Sequence, residues 1–242
     1  MCGRYTLKTP ANELFQQLVM FRLASSQSNF SCMNPRYNIA PNQKVLVIRC
    51  AEKEGKSNLV MRDSFELVEI QWGREFTRGQ QKQSVINTRI ETLKEKLQLG
   101  PAANMRPCLI VADGYYEWKK SEGLKIPHYI YRKDHQLLLF VGVWQQLAHA
   151  NKPPTDCCTI VTCPASNPLD EIHERMPLFI DSTTGMHWLM HSSGFDDHHS
   201  ILQSCSVESL QMHTVHTQVN HVGFEHSSCV DPAPFHKQKS LF

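Results

Sequence analysis

Cys108-Leu109-Ile110-Val111-Ala112-Asp113-Gly114-Tyr115-Tyr116-Glu117-Trp118-Lys119-Lys120 decides the fold. Its first five residues form a near-continuous apolar run of strand length. Asp113-Gly114 is a turn pair, after which the chain returns to extended structure rich in aromatic residues. Similar runs recur on both sides: Val45 to Ile48 and Val68 to Trp72 before it, then His128 to Arg132, Leu137 to Trp144 and Thr159 to Cys163 after it. The turn at Lys133-Asp134 joins two of them. Helical spacing lies at the flanks. Leu14, Leu18 and Phe21 follow the start signal Thr9-Pro10, with Phe15 and Val19 on the same face, and Glu91 to Leu97, Thr183 to His191 and Ser200 to Leu210 carry the same period. The pattern predicts an α+β fold in which helices flank a dense β-core.

With 242 residues, the chain suits one sizeable core, and the expectation is a single domain. Hydrophobic residues at 41% and charged residues at 20% exclude wholesale disorder. A net charge of +2 and an isoelectric point near 8.1 leave room for an anionic partner without announcing one, so any basic surface is local. Nine cysteines, an odd number with Cys157 and Cys158 adjacent, follow no charged-then-apolar leader and read as reduced thiols of an intracellular protein. No apolar run approaches the roughly 20 residues of a membrane span, and no membrane partner is expected.

The chemistry concentrates at a few positions. If Met1 is removed, Cys2 carries an α-amine and a thiol on adjacent carbons. Such a 1,2-aminothiol meets an aldehyde first through the amine, giving an imine, and then through sulfur, closing a durable thiazolidine ring. Taken alone, Cys2 reads as merely the second residue of the chain, because a lone cysteine carries little information. Glu117, set among Tyr115, Tyr116 and Trp118, is expected to feel desolvation, which raises a carboxyl toward the range useful to an acid or base, although a Glu with its head in water fits the same pattern. His173 stands amid Asp170, Glu171, Glu174 and Arg175, suited either to proton transfer or to a salt-bridged loop. Arg74 to Gln83 reads as a polar, basic loop with Arg74, Arg78 and Lys82 as anion contacts or as solvated surface. Asn87 and Arg89 fall where a strand passes into a helix. His187 and His191 are four apart but lack a third ligand, so no metal and no cofactor is expected.

Taken in order, Met1-Cys2-Gly3-Arg4-Tyr5, Arg36-Tyr37-Asn38-Ile39-Ala40-Pro41, Trp72-Gly73, Asn87-Thr88-Arg89-Ile90-Glu91-Thr92, Ala112-Asp113-Gly114-Tyr115-Tyr116-Glu117-Trp118 and Ile172-His173-Glu174-Arg175-Met176-Pro177 resemble the SRAP family, the SOS response-associated peptidase domain. The resemblance spans nearly the whole chain. It implies one SRAP-type α+β domain over residues 1–232, with a barrel-like, mainly antiparallel β-core and a loose tail over 233–242. It further implies an abasic-site sensor whose Cys2, freed of Met1, crosslinks covalently to the ring-opened aldehyde of an abasic site in single-stranded DNA. In that scheme Asn87 holds the Cys2 amine, Glu117 handles protons, and His173 assists proton transfer and reversal. Arg4, Arg89 and Arg175 match family positions near the site and are expected on phosphate; Arg36, Pro41 and Trp72, together with Arg74 and Arg78 from the basic loop's own composition, complete the expected DNA contacts. A monomer is expected, acting in the nucleoid or nucleus, with replication-associated proteins as further partners.

Other readings remain open: a thiol autopeptidase acting on its own Met1-Cys2 bond, with lyase chemistry as an accompaniment, or a non-catalytic DNA-binding module. One departure stands out. Family members follow Trp-Gly with proline and bulky aromatics, whereas here Trp72-Gly73 leads into Arg74-Glu75-Phe76-Thr77-Arg78-Gly79, which puts stacking beside the lesion in question. The family's His-Pro-Val is likewise altered, to His213-Thr214-Val215.

Overall fold

The structure is a computed structural model and describes residues 2–23, 34–51, 65–78, 81–93, 105–149, 152–190 and 206–233. In chain order the strands are β1 (Arg4–Leu7), β2 (Arg36–Ile39), β3 (Lys44–Cys50), β4 (Phe65–Trp72), β5 (Arg74–Arg78), β6 (Gln81–Val85), β7 (Asn87–Arg89) and β8 (Arg106–Ala112). They continue as β9 (Gly114–Ser121), β10 (Leu124–Arg132), β11 (Leu138–His149), β12 (Lys152–Pro164), β13 (Arg175–Pro177), β14 (Phe179–Ile180) and β15 (Leu210–Thr214). Helix α1 covers Ala11–Met20 and α2 covers Ser182–Met190.

Five strands close a barrel in the order β12, β4, β3, β8, β11 and back to β12. Every pairing in that ring is antiparallel except β12 with β4. The apolar run of β8 is one of its walls: Cys108, Leu109, Ile110, Val111 and Ala112 are all fully buried. Their continuity follows from burial on both faces. Inside, they meet the barrel core; outside, α2 lies over β8 and β11, its Trp188 indole donating to the Cys108 carbonyl at 2.9 Å. Gly185 lets the helix sit that close, because a Cβ there would stand 2.9 Å from Leu109 Cδ1.

A second, wholly antiparallel sheet runs β15, β10, β9, β1, β2. The two sheets meet through edge-on aromatic pairs, Tyr5 with Trp72 at 5.3 Å and both Tyr5 and Tyr115 with Phe140 at 6.0 Å. The Asp113-Gly114 turn links them, and its carboxylate is spent locally: Asp113 accepts from the Lys8 and Thr9 backbone amides and from the Thr9 hydroxyl. Thr9 therefore serves that turn; α1 itself begins behind Pro10 without a side-chain cap.

Three expectations change. The basic segment from Arg74 is a β-hairpin, β5 on β6, with Arg74 opposite Val85 and Arg78 opposite Gln81; its polar alternation lacks the apolar residues by which a buried strand announces itself. Of the helix over Ser200 to Leu210, the described part is a 3-10 turn at Val207–Ser209, and Leu210 already opens β15. Edge pairing with β10 outweighs the local spacing there. Ala233, assigned to the tail, exchanges hydrogen bonds with Thr214. The rest of that tail, the helix after Leu93, His191 and the Ser-rich segment after α1 lie outside the described residues.

After β15, residues 216–231 cross the β1/β2/β9 face as a strap of 3-10 turns, Thr217–Asn220 and Ser227–Val230. Beneath it lies a small second core of Tyr116, Tyr129, Val215, Val219 and Cys229. Asn38 is the rivet: its amide donates to the carbonyls of Val219, His221 and Phe224, and its Oδ1 accepts from Arg4 at 2.7 Å. Asn38→Ala is expected to cost about 3 kcal/mol, the scale for taking several hydrogen bonds from buried strap carbonyls and one from the Arg4 guanidinium. Denaturant unfolding measures it, and a loss under about 0.5 kcal/mol would contradict the rivet.

Candidate active site

β1 brings the amino-terminal end of the chain alongside β9. Arg4 pairs with Tyr116 and Tyr5 with Tyr115, so Cys2 enters just beyond the register position of Glu117. Cys2 is fully buried and its thiol donates to the Arg4 carbonyl at 3.7 Å. Burial pushes that thiol well above the ordinary cysteine range; the charge of Glu117 pushes in the same direction, while the positive amino terminus pulls it back. Sulfur therefore sits in this site as S–H.

Asn87 comes from the other sheet. β7 pairs in parallel with β12, Asn87 opposite Ile160, at the rim of the barrel. From there its amide Nδ2 donates to the Cys2 carbonyl at 2.9 Å. Its own Oδ1 is buried and has no hydrogen-bond partner among the described residues. An orphan acceptor beside the Cys2 main chain is a seat for an ammonium or amine donor.

Glu117 is 5% exposed, and one of its oxygens accepts from the Trp118 backbone amide at 3.2 Å. His173 leads into β13, whose pairing with β12 fixes its loop. The Arg175 backbone amide donates to His173 Nδ1 at 3.0 Å, so in the neutral ring the proton sits on Nε2. Glu117 and His173 line one open groove of about 480 Å³, together with Trp118, Lys120, Lys125 and Asn220. The Trp118 indole donates to Asn220 Oδ1 at 2.7 Å, so the strap forms part of its wall. Among the described residues no His, Cys, Asp or Glu side chains gather in threes as a metal site.

The expected DNA contacts divide. Arg89 is exposed on β7, Arg74 is half-buried at the start of the hairpin, and Pro41 is half-buried after β2. Others are committed to the protein interior. Arg4, expected on phosphate, is 9% exposed and its guanidinium donates to Asn38 Oδ1 and to the Val219 and Asn220 carbonyls; burial lowers its pKa, and it anchors the strap. Trp72, expected as a DNA contact, is fully buried with its indole donating to the Ile86 carbonyl at 3.0 Å, and it packs between the sheets. Gly73 after it has φ +110°, a conformation that requires glycine. Arg175 forms a two-pronged pair with Glu91 at 2.8 and 2.9 Å and donates to the Thr162 carbonyl, which holds Glu91 below the usual carboxylate range. Arg36 donates to the Lys44 carbonyl and to Gln43, fastening the turn between β2 and β3. Arg78 belongs to β5, and its side chain lies outside what is described. Sequence reasoning gave no role to Asn38, Lys125 or Asn220; only proximity in the fold exposes them.

Comparison with known proteins identifies the family. The sequence matches the family model described as SOS response associated peptidase (SRAP) over residues 1–222. It is 28% identical to abasic site processing protein YoqW of Bacillus subtilis over 222 residues, covering 91% of this chain and 94% of that one. It is likewise 28% identical to abasic site processing protein YedK of Escherichia coli, covering 81% and 84%, and 25% identical to the chicken protein HMCES, covering 82% and 66%. A crystal structure of a Bacteroides thetaiotaomicron protein superimposes with a TM-score of 0.71 at 18% identity, covering 96% of this chain and all of that one, and so shares the fold. By sequence match along nearly its whole length and by the shared fold, the chain belongs to the SRAP family.

Proposed function

We propose that this protein processes abasic sites in single-stranded DNA by forming a covalent crosslink through Cys2, and so shields the lesion. The observation that carries the reading is Asn87, which binds the Cys2 carbonyl while its buried Oδ1 still lacks a partner among the described residues. Hydrolysis of the Met1-Cys2 amide consumes one water, releases methionine and leaves the Cys2 amine as the donor that Oδ1 lacks.

The reaction then balances as follows. Glu117 moves a proton to open the abasic hemiacetal, exposing its aldehyde. The Cys2 amine attacks that carbon and water leaves, giving an imine. The Sγ–H adds across the C=N bond, sulfur to carbon and proton to nitrogen, closing the thiazolidine. Only one water is lost between aldehyde and product. His173, with Nδ1 occupied by the Arg175 amide, uses Nε2 for proton transfer in formation and reversal. Exposed Arg89, two residues after Asn87, is positioned for a neighbouring phosphate. The abasic site processing relatives support the substrate class.

Intact-mass measurement before and after incubation with abasic single-stranded DNA tests the reading. Loss of Met1 followed by an adduct of DNA mass minus one water is expected. Loss of Met1 without an adduct would instead favour an autopeptidase acting on itself, and an unchanged mass would overturn both.

A further inference from the structure

We infer that Lys120 and Lys125 form a phosphate-binding subsite of the groove, gripping the DNA backbone on the side of the lesion that runs out along the β9–β10 hairpin. The inference rests on the proposed reading of this groove as the seat of a DNA strand.

Lys120 and Lys125 occupy directly opposed positions of an antiparallel pair. Side chains so placed lie on one face with Cβ atoms about 5 Å apart, and like charges there repel and destabilise the hairpin. Both are exposed, and neither has an ion-pair partner among the described residues. Lys119 shows the contrast: one residue earlier and turned to the other face of the strand, its ammonium pairs with Glu171 at 3.5 Å. The opposed pair is thus the one whose charge is left for a ligand.

Its location says which ligand. Both lysines line the groove that holds Glu117 and His173. Trp118 stands on the same strand face as Lys120, two residues nearer the reactive end. From Glu117 to Lys120 is three strand steps, about 10 Å at 3.3 Å per residue. Nucleotides advance about 3.4 Å per residue along a stacked strand, so the phosphate held would lie about three nucleotides from the lesion, and nearer if the strand is stretched. A dianionic or polyanionic backbone bridging two ammonium groups removes the repulsion that the free hairpin carries. Arg89 lies on β7 of the barrel sheet, whereas the lysines lie on the second sheet, so the two phosphate contacts would flank the reactive centre from different sheets.

The test is a salt titration of binding to a short unmodified oligothymidylate by the full chain, the Lys120→Ala/Lys125→Ala double variant and Lys125→Glu. Each lost contact on single strands should flatten the slope of log affinity against log salt by about 0.7, so the double variant should lose between about 0.7 and 1.4. Lys125→Glu should weaken binding further while leaving the melting temperature unchanged or raised, because it replaces a like-charge pair by an opposite-charge pair. That combination separates a DNA role from a folding defect. Slopes and affinities equal to the parent's in both variants would overturn the subsite. Crosslinking of the parent to abasic oligonucleotide, run alongside, isolates the underlying reading. If the parent forms adduct and the slopes do not move, the subsite alone fails; if it forms none while the slopes flatten, the lysines bind DNA and the crosslinking chemistry fails.

Discussion

Cys2→Ala is expected to abolish heat-stable crosslinking to abasic DNA altogether. An amino-terminal alanine still offers an amine, so an imine with the aldehyde can form and can be trapped by borohydride reduction. It has no sulfur to close the ring, and the imine hydrolyses on denaturation. The structure adds a reason for the order of events. With the Cys2 thiol pushed up by burial and by Glu117, sulfur is a poor first nucleophile, which in the proposed mechanism leaves the first attack to the amine and the second to S–H. Denaturing gels with and without borohydride distinguish the two adducts. A heat-stable band from unreduced Cys2→Ala would end the thiazolidine mechanism.

Glu117→Gln is expected to slow crosslinking by about 10²-fold or more, the usual cost of losing a general acid or base. The substitution keeps the side chain's shape and removes only the titrating group from the buried position beside Cys2. A second readout guards against misreading a damaged site. Because the Glu117 charge helps hold the Cys2 thiol up, its removal should lower that pKa and quicken alkylation of Cys2 by iodoacetamide at mildly alkaline pH. Crosslinking and thiol reactivity should therefore move in opposite directions in one variant. Single-turnover crosslinking at the parent's rate would remove Glu117 from the proton-handling role.

The sequence made the β-core legible because its strands carry continuous apolar runs, as burial on both faces demands; Val45 to Ile48 and Cys108 to Ala112 are examples, while the barrel-like form was implied by the family resemblance. Closure of the ring was not legible from those runs, since the β12–β4 pairing joins segments more than 80 positions apart and leaves no local pattern. The hairpin from Arg74 was hidden by its polarity, and the strap by its 3-10 turns, which have no apolar period to read. In the site, the six motifs pointed to Cys2, Asn87, Glu117 and His173, and the fold sets Glu117 and His173 on one groove and Asn87 on the Cys2 carbonyl. The arginines were harder. A guanidinium looks the same in sequence whether it meets phosphate or a carbonyl, and only the fold showed that Arg4 and Arg175 are already engaged.

Arg4 also ties the assembly of the reactive end to the calendar of protein synthesis. The residue is translated almost at once, while the carbonyls that receive it, at Val219 and Asn220, are 215 and 216 positions downstream. At about 5 to 20 residues per second, a ribosome needs roughly 10 to 40 seconds to supply them. Throughout that interval the guanidinium has only Asn38 Oδ1 as an interior partner, and β1 lacks the strap that covers it. A chain cut short before Val219 lacks those carbonyls and the strap, so the strand that follows Cys2 is never locked in place.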